Sequence, residues 1–444
     1  MKTLLFIAIL LPFVTLAQHK WTLEECITHA KKNNIEILKQ LINNKKNTEN
    51  IRIAKGNFLP NLSFSASQGF SLGNSFNIST GVGQSESSFN LFSLSSSVIL
   101  FNGFNNKYKL QAEKIKAKKG EIAIESIVLD LSLAITYKYL QVLVNKEILS
   151  IAKEQKNISD QEVKRLSKLY QTGYKPKNEL LQIQTTYELD KKEVFLAKNN
   201  LSNSLILLKE LITINDIPNF DINLIEINII RPTKILPNTE EKYNAIIATN
   251  PLLKIAQYSQ DLSKKNLLIS KSNYYPRLSF DYSFGSNYYH ILGKKDLIFN
   301  QNTNRYDANS FFTQLKNNSI NYLGLSLTVP IFNRFKTQSN IKKEKNEYEL
   351  ASIEIDKIKF QLKNKLILIN NDILTAKTTL DASTKALKLQ RENFNIMQKK
   401  YKKGIITSYE YLESKSKLLY TQSELIKSKY NYIFKLKLFE YYYQ

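Results

Sequence analysis

The residues that could coordinate a metal or begin acid–base chemistry in this 444-residue chain are few and scattered. There are three histidines (His19, His29 and His290), one cysteine (Cys26) and two methionines. None has the spacing of a metal-ligand set, and a soft-metal relay needs more sulfur than this. No glycine-rich loop is present to cradle a phosphate. With no nucleophile–base pair either, the sequence predicts no enzyme, cofactor or metal centre.

The patterned residues are of another kind. In NLSFSASQGF, residues 61–70, Leu62, Phe64, Ala66 and Phe70 alternate with Ser63, Ser65, Ser67 and Gly69. The same period-two pattern sets Phe92, Leu94 and Val98 against Ser93, Ser95 and Ser97. It sets Leu278, Phe280, Tyr282, Phe284 and Tyr288 against Ser279, Asp281, Ser283, Gly285 and Asn287. It returns with Leu323, Leu325, Leu327 and Val329 against Gly324, Ser326 and Thr328.

One such strand alone reads best as half-buried in a soluble sheet. Four of them, beside an export signal and very long helices, fit an outer-membrane barrel with lipid on one side and water on the other. Four strands cannot close a barrel, because the smallest have eight. An open sheet edge in lipid leaves backbone groups unpaired. The chain must therefore oligomerise, and strand arithmetic permits a dimer with eight strands or a trimer with twelve.

The elements that position these strands are written twice. LPNLSF (59–64) returns as YPRLSF (275–280), SSSVILFNGF (95–104) as SLTVPIFNRF (326–335), and YQTG (170–173) as YKKG (401–404). The interval from Phe101 to Phe332 equals that from Gly173 to Gly404, and the interval from Pro60 to Pro276 is shorter than both. The added length falls between paired strands, where a loop absorbs it. Each half predicts a first helix (22–55 and 239–271), two strands, and a proline-free helical run (105–170 and 336–402) of about 100 Å. A glycine turn then leads into a return helix. Helices that long need coiled neighbours. The return helix from Leu180 supplies a seam, with apolar residues at 180, 183, 187, 194, 197, 201, 205, 208 and 212.

The start, MKTLLFIAILLPFVTLAQ, reads as a secretory signal cleaved after Ala17. The expected organisation is a signal peptide at 1–17, a first repeat at 18–212, a connector at 213–238 with a possible short strand in NLIEINII, and a second repeat at 239–444. No later stretch of eighteen apolar residues predicts a transmembrane helix. The net charge of +24 comes from lysines spread along helices, which predicts solvated helix faces and no nucleic-acid partner. Cys26 has no disulfide partner and reads as a small buried residue. The overall class is mainly α with β, with duplicated coiled-coil hairpins and four membrane strands per chain.

The opening TLEECITHAKKNN, the doubled strand starts, the VILFNGF and VPIFNRF junctions and the doubled Y-x-x-G turns together resemble the TolC-type outer-membrane efflux family over nearly the whole mature chain. The resemblance implies a homotrimer, a shared twelve-stranded barrel and an α-helical tunnel into the periplasm. Its implied partners are outer-membrane lipid, a periplasmic adaptor and an inner-membrane pump, or an ABC transporter in type I protein secretion. It implies that the two hairpin tips form the periplasmic entrance and the adaptor-docking surface, with Tyr170, Gly173, Pro176 and Gly404 in the docking turns. Acidic residues six and nine positions past the second glycine ring the entrance in such proteins, and those positions are Glu410 and Glu413. Three copies of each would attract cations and repel anions. Tyr401 and Glu179 match positions that form a polar lock between hairpins, while the arginine often found two past the second glycine is Ile406 here. The rival reading is a non-conducting periplasmic coiled-coil adaptor or scaffold, which predicts solubility without detergent.

Overall fold

The computed structural model describes residues 20–77, 81–84, 86–214, 220–224 and 240–443. The expected signal peptide lies outside these residues. So do the connector, apart from 213–214 and 220–224, and most of NLIEINII.

The first half runs β1 (Lys20–Trp21), α1 (Leu23–Asn33), α2 (Ile35–Gly56), β2 (Ser63–Ser71), β3 (Asn74–Asn77), β4 (Gly81–Gln84), β5 (Ser87–Asn102), α3 (Asn105–Gln171), α4 (Lys177–Ile212) and β6 (Asp221–Ile222). The second runs α5 (Glu240–Thr249), α6 (Pro251–Ser272), β7 (Arg277–Ile291), β8 (Leu297–Asn300), β9 (Arg305–Ala308), α7 (Phe311–Asn317), β10 (Ile320–Thr328), α8 (Lys336–Lys402) and α9 (Ser408–Tyr443). The long helices α3 and α8 each have 67 residues, and the return helices α4 and α9 each have 36.

Both first helices are broken where one continuous helix was expected. The breaks fall at Asn34 and Asn250, which keep the spacing of Pro60 and Pro276 and so are equivalent positions of the two repeats. The Asn34 side chain accepts from the backbone N–H of Glu36, and that of Asn250 from Leu252. Each asparagine thus restarts a helix by satisfying donors that have no partner at a new N-terminus.

One compact unit takes residues 43–121 and 255–355, drawing from both halves. Its centre is a four-stranded antiparallel sheet in the order β10-β7-β5-β2. The register sorts the side chains as the alternation predicted. Phe64 faces Leu94, Leu94 faces Phe284, and Phe280 faces both Val98 and Leu325, so these share one face. Ser65 faces Ser93, Ser95 faces Ser283, and Gly324 faces Asp281 on the other. Hydroxyl pairs hold that polar face together, Ser63 with Ser95 at 2.8 Å and Ser65 with Ser93 at 2.7 Å. The apolar face is open to the surroundings: Phe64 is 68% and Leu325 69% exposed.

Strand β7 runs past the end of its pairing with β10, and α7 covers that stretch. The Tyr289 N–H donates to Gln314 Oε1, and Asn318 Nδ2 donates to the Asn287 carbonyl. The strand edge is therefore satisfied without a further strand.

The FNGF and FNRF junctions turn strand into helix by one device used twice. Consecutive residues adopt positive φ, Gly103 (63°) and Phe104 (65°), then Arg334 (57°) and Phe335 (60°). Asn102 and Asn333 then accept from the backbone N–H four residues on, at Asn106 and Thr337. A Cβ at Gly103 would stand 2.6 Å from the Ser272 carbonyl oxygen, so the first junction admits only glycine.

The other compact unit takes residues 20–42, 122–254 and 356–443 of the described chain. Its main core joins Cys26, Ala30, Ile135, Tyr139, Leu143, Leu208, Ile212 and Ile433. Cys26 is buried and free, as expected, and burial pushes its thiol up to about 12. Strands β1 and β6 pair in parallel, and the buried Tyr139 hydroxyl reaches the carbonyls of Trp21 on β1 (3.0 Å) and of Asn223 just past β6 (2.7 Å). Only α3, among the described helices, is long and apolar enough to cross a membrane. Half of that apolar window is buried, consistent with a seam residue pattern that packs against other helices.

Candidate functional site

At the end of α3 the Gly173 N–H bonds the Tyr170 carbonyl (3.0 Å) and the Tyr174 N–H bonds the Leu169 carbonyl (2.9 Å). At the end of α8 the Gly404 N–H bonds the Tyr401 carbonyl (3.0 Å) and the Ile405 N–H bonds the Lys400 carbonyl (3.0 Å). Both are Schellman turns, and both glycines have φ of 76°. The expected tip glycines are thus helix-ending glycines in the left-handed region that glycine alone enters freely.

The second tip has an aromatic core. Tyr401 and Tyr411 stack with centroids 4.5 Å apart and planes 8° from parallel, with Phe394, Leu387 and Leu418 packed around them and Ile406 against the cluster. Ile406 fills apolar space at the position where the family resemblance implies an arginine. A guanidinium arrives instead from α3: Arg165, bonded to Glu162 at 2.9 Å, lies 5.4 Å from the Tyr401 ring centroid. Burial, then the Glu162 carboxylate, pushes the Tyr401 phenol up to about 12.

The expected lock between Tyr401 and Glu179 is not a hydrogen bond in this structure. The Tyr401 hydroxyl and Glu179 Oε2 are both buried without hydrogen-bond partners. The other Glu179 oxygen pairs with Lys175 at 3.0 Å, one turn back on its own chain segment. That local pair takes the carboxylate away from the tyrosine.

Glu410 has a structural duty. Its carboxylate accepts from the Thr407 N–H (2.8 Å) and hydroxyl (2.9 Å), while its own N–H donates to the Thr407 oxygen (3.3 Å). This is a capping box at the start of α9. The bonds from Thr407 hold the Glu410 carboxyl below its ordinary value. Glu413 pairs with Lys417 one turn on, at 2.7 Å. In the first tip Pro176 is the N-cap, with no side-chain bond. Tyr170 is 41% exposed.

Sequence reasoning missed a charged brace that joins the two hairpins. Lys415 Nζ on α9 bonds Asp190 Oδ2 on α4 and Ser159 Oγ on α3, each at 2.7 Å, and Ser159 also bonds Asp190. The Lys415 side chain is 4% exposed and that of Asp190 14%. A signal existed: the α4 seam skips from 187 to 194, and Asp190 occupies the vacant position. Lys415 interrupts an equivalent stripe between Tyr411 and Leu418. Opposite charges at seam positions of different helices are a pairing signature. A further link runs from the Ser408 hydroxyl to Gln182 Oε1.

Among the described residues no cluster of three His, Cys, Asp or Glu could hold a metal ion. The chemistry on offer is that of surfaces and a wall: an apolar sheet face, a serine-lined one, and two helix tips. Together they define an outer-membrane channel protein built on a duplicated hairpin. The chain belongs to the outer membrane efflux protein family, whose model matches residues 26–213 and 243–435. It is 22% identical to the outer membrane protein TolC of Salmonella enteritidis over 423 residues, 95% of this chain and 81% of that one. It is 22% identical to TolC of Escherichia coli over 298 residues, 66% of this chain, and that match spans 57% of the Escherichia coli protein. The solved Campylobacter jejuni CmeC outer membrane channel superposes with a TM-score of 0.76 at 19% identity, covering 95% of this chain and 85% of that one. The protein is thus placed in the outer membrane.

Proposed function

We propose that three copies of this chain form the exit duct of a tripartite efflux system, passively passing substrates delivered by an inner-membrane pump through a periplasmic adaptor. The observation that carries this reading is the four-stranded sheet with two edges, β2 and β10, that have no second strand partner among the described residues. One face of it is apolar and exposed, and the other carries the serines, glycines, Asp281 and Thr328, together with Phe89, Leu91, Tyr289 and Tyr322. A sheet of that kind is stable in lipid only when closed. Three copies supply twelve strands, in keeping with the even-numbered barrels of outer membranes. The serine-bearing face then borders water.

The tips are the natural meeting points with a periplasmic adaptor, and the first is the more open, with Tyr174 81% exposed. Glu410 and Glu413 of three copies would form an acidic ring at the entrance. The domain boundaries expected from the duplication fit this reading, each repeat contributing one strand pair and one hairpin.

Native mass spectrometry of the detergent-extracted protein tests the assembly. A mass of three chains is expected, and a lone subunit that is released by a carbonate wash would reject the duct. In single-channel recordings, replacing Glu410 and Glu413 with glutamine should lower cation preference, while glutamine preserves the capping geometry. Unchanged selectivity would remove both from the entrance.

A further inference from the structure

Where the membrane strands give way to the long helices, the molecule carries the same groove twice. The first, of about 350 Å3, is lined by Phe58, Phe101, Phe104, Lys107, Leu110 and Lys114 among others. The second, of about 220 Å3, is lined by Tyr274, Ile331, Phe332, Phe335 and Gln338. They are copies of one another. Phe58 and Tyr274 hold equivalent places before the repeated strand starts, and Phe101, Phe104 and Lys107 correspond in the repeat to Phe332, Phe335 and Gln338. In both, two rings meet edge to face, Phe101 with Phe104 at 5.5 Å and Phe332 with Phe335 at 5.4 Å.

Each groove continues the apolar face of the sheet. Phe101 pairs in register with Leu278, which shares its face with Phe280. Between Ile99 and Phe101 the β5 register shifts, and Leu100, at this irregularity, is 54% exposed on the groove wall. Phe104 is 53% and Phe335 65% exposed. Aromatic rings at the end of an apolar belt sit at the depth of lipid headgroups.

The copies differ in charge. In the first, Lys107 Nζ stands 5.9 Å from the Phe104 ring centroid, and Lys114 lies two helical turns further along the same wall. Neither lysine has a carboxylate partner among the described residues. In the second, Gln338 replaces Lys107. The lysine at the position of Lys114, Lys345, is at 3.7 Å from Glu349 and does not line the groove.

We propose that the first groove is a binding site for an anionic phospholipid of the periplasmic leaflet, and that the second lacks this headgroup preference. The phosphate lies between the ammonium groups of Lys107 and Lys114, and an acyl chain follows Phe101 toward the apolar sheet face. A second copy of this chain is a poorer occupant, since it carries a net charge of +24 and brings no excess of anionic groups to two unpaired lysines. The site is independent of the cargo and of the pump.

The test uses the full chain in nanodiscs of equimolar phosphatidylglycerol and phosphatidylethanolamine, released into the gas phase for native mass spectrometry. The wild type should retain about one phosphatidylglycerol per chain, with a roughly tenfold preference over phosphatidylethanolamine. K107Q/K114Q should lose that preference with the assembly mass unchanged, and Q338K should gain a second retained anionic lipid. Millimolar inorganic phosphate should leave retention intact, because the acyl contacts are part of the site. Equal retention in wild type and K107Q/K114Q would overturn the proposal. So would displacement by free phosphate, or a disulfide between copies formed by F104C, which would place protein over the groove.

Discussion

The two helix tips share one backbone and differ in what it holds. Both turns end on a glycine at the same φ, with the same pair of hydrogen bonds. Three residues later the first has Pro176 and the second Thr407. Thr407 exchanges bonds with Glu410, whereas Pro176 has no N–H to give and no side-chain acceptor. Glu179, the counterpart of Glu410, is left to Lys175. The equivalent tyrosines of the two repeats are likewise opposite, Tyr170 exposed and Tyr401 only 2% exposed. Duplication fixed the path of the chain, and side chains then made the second tip a packed element and the first an open one.

Four experiments break or sharpen that contrast. The largest effect is expected from Lys415→Met, which leaves a mostly buried Asp190 without its cation and should cost about 3–5 kcal/mol in chemical unfolding of the detergent-solubilised protein. The matching change in the first hairpin, Gln184→Met on an exposed position, should stay within about 0.5 kcal/mol. Adding Asp190→Leu to Lys415→Met should recover most of the loss. A harmless Lys415→Met would show that the brace does not hold the hairpins together.

Next comes Tyr401→Ala, which empties the aromatic core and should cost about 3 kcal/mol, against about 0.5 kcal/mol or less for Tyr170→Ala. Tyr401→Phe separates packing from polarity. Its hydroxyl is buried and unpartnered, so removal should stabilise by about 1 kcal/mol. A loss instead would mean that the assembled protein supplies a partner.

Thr407→Ala should cost about 1 kcal/mol by opening the capping box. The smallest effect concerns pH. Because Thr407 holds the Glu410 carboxyl below its ordinary value, the box contributes stability above the unfolded-state pKa and loses it as pH falls through the lower, folded-state one. The penalty of Thr407→Ala should therefore shrink in acid, and Glu410→Gln should flatten that dependence. A penalty that ignores pH would remove the carboxylate from the cap.

Much of this was legible in the residues. The serine alternation placed every strand face as the register has it, because a period of two leaves no freedom once one face is apolar. The long helices lie within a residue of their expected limits, since nothing in them breaks a helix and a glycine ends each. The breaks at Asn34 and Asn250 were missed, although Asn250 precedes a proline and asparagine caps helices well. The family resemblance assigned Tyr401 of the second tip and Glu179 of the first to one lock, but whether they bond depends on rotamers and on the competing Lys175. Arg165 and Tyr401 lie in different halves of the sequence, and no local spacing links them.

The matched lengths of the paired helices give the two hairpins equal legs. Inserting one heptad into a single leg would preserve its seam yet carry that tip about 10 Å beyond its twin. The turn would no longer meet its neighbours, and Lys415 would slide past Asp190. Reach can therefore be lengthened or shortened only by editing all four long segments together, in whole heptads.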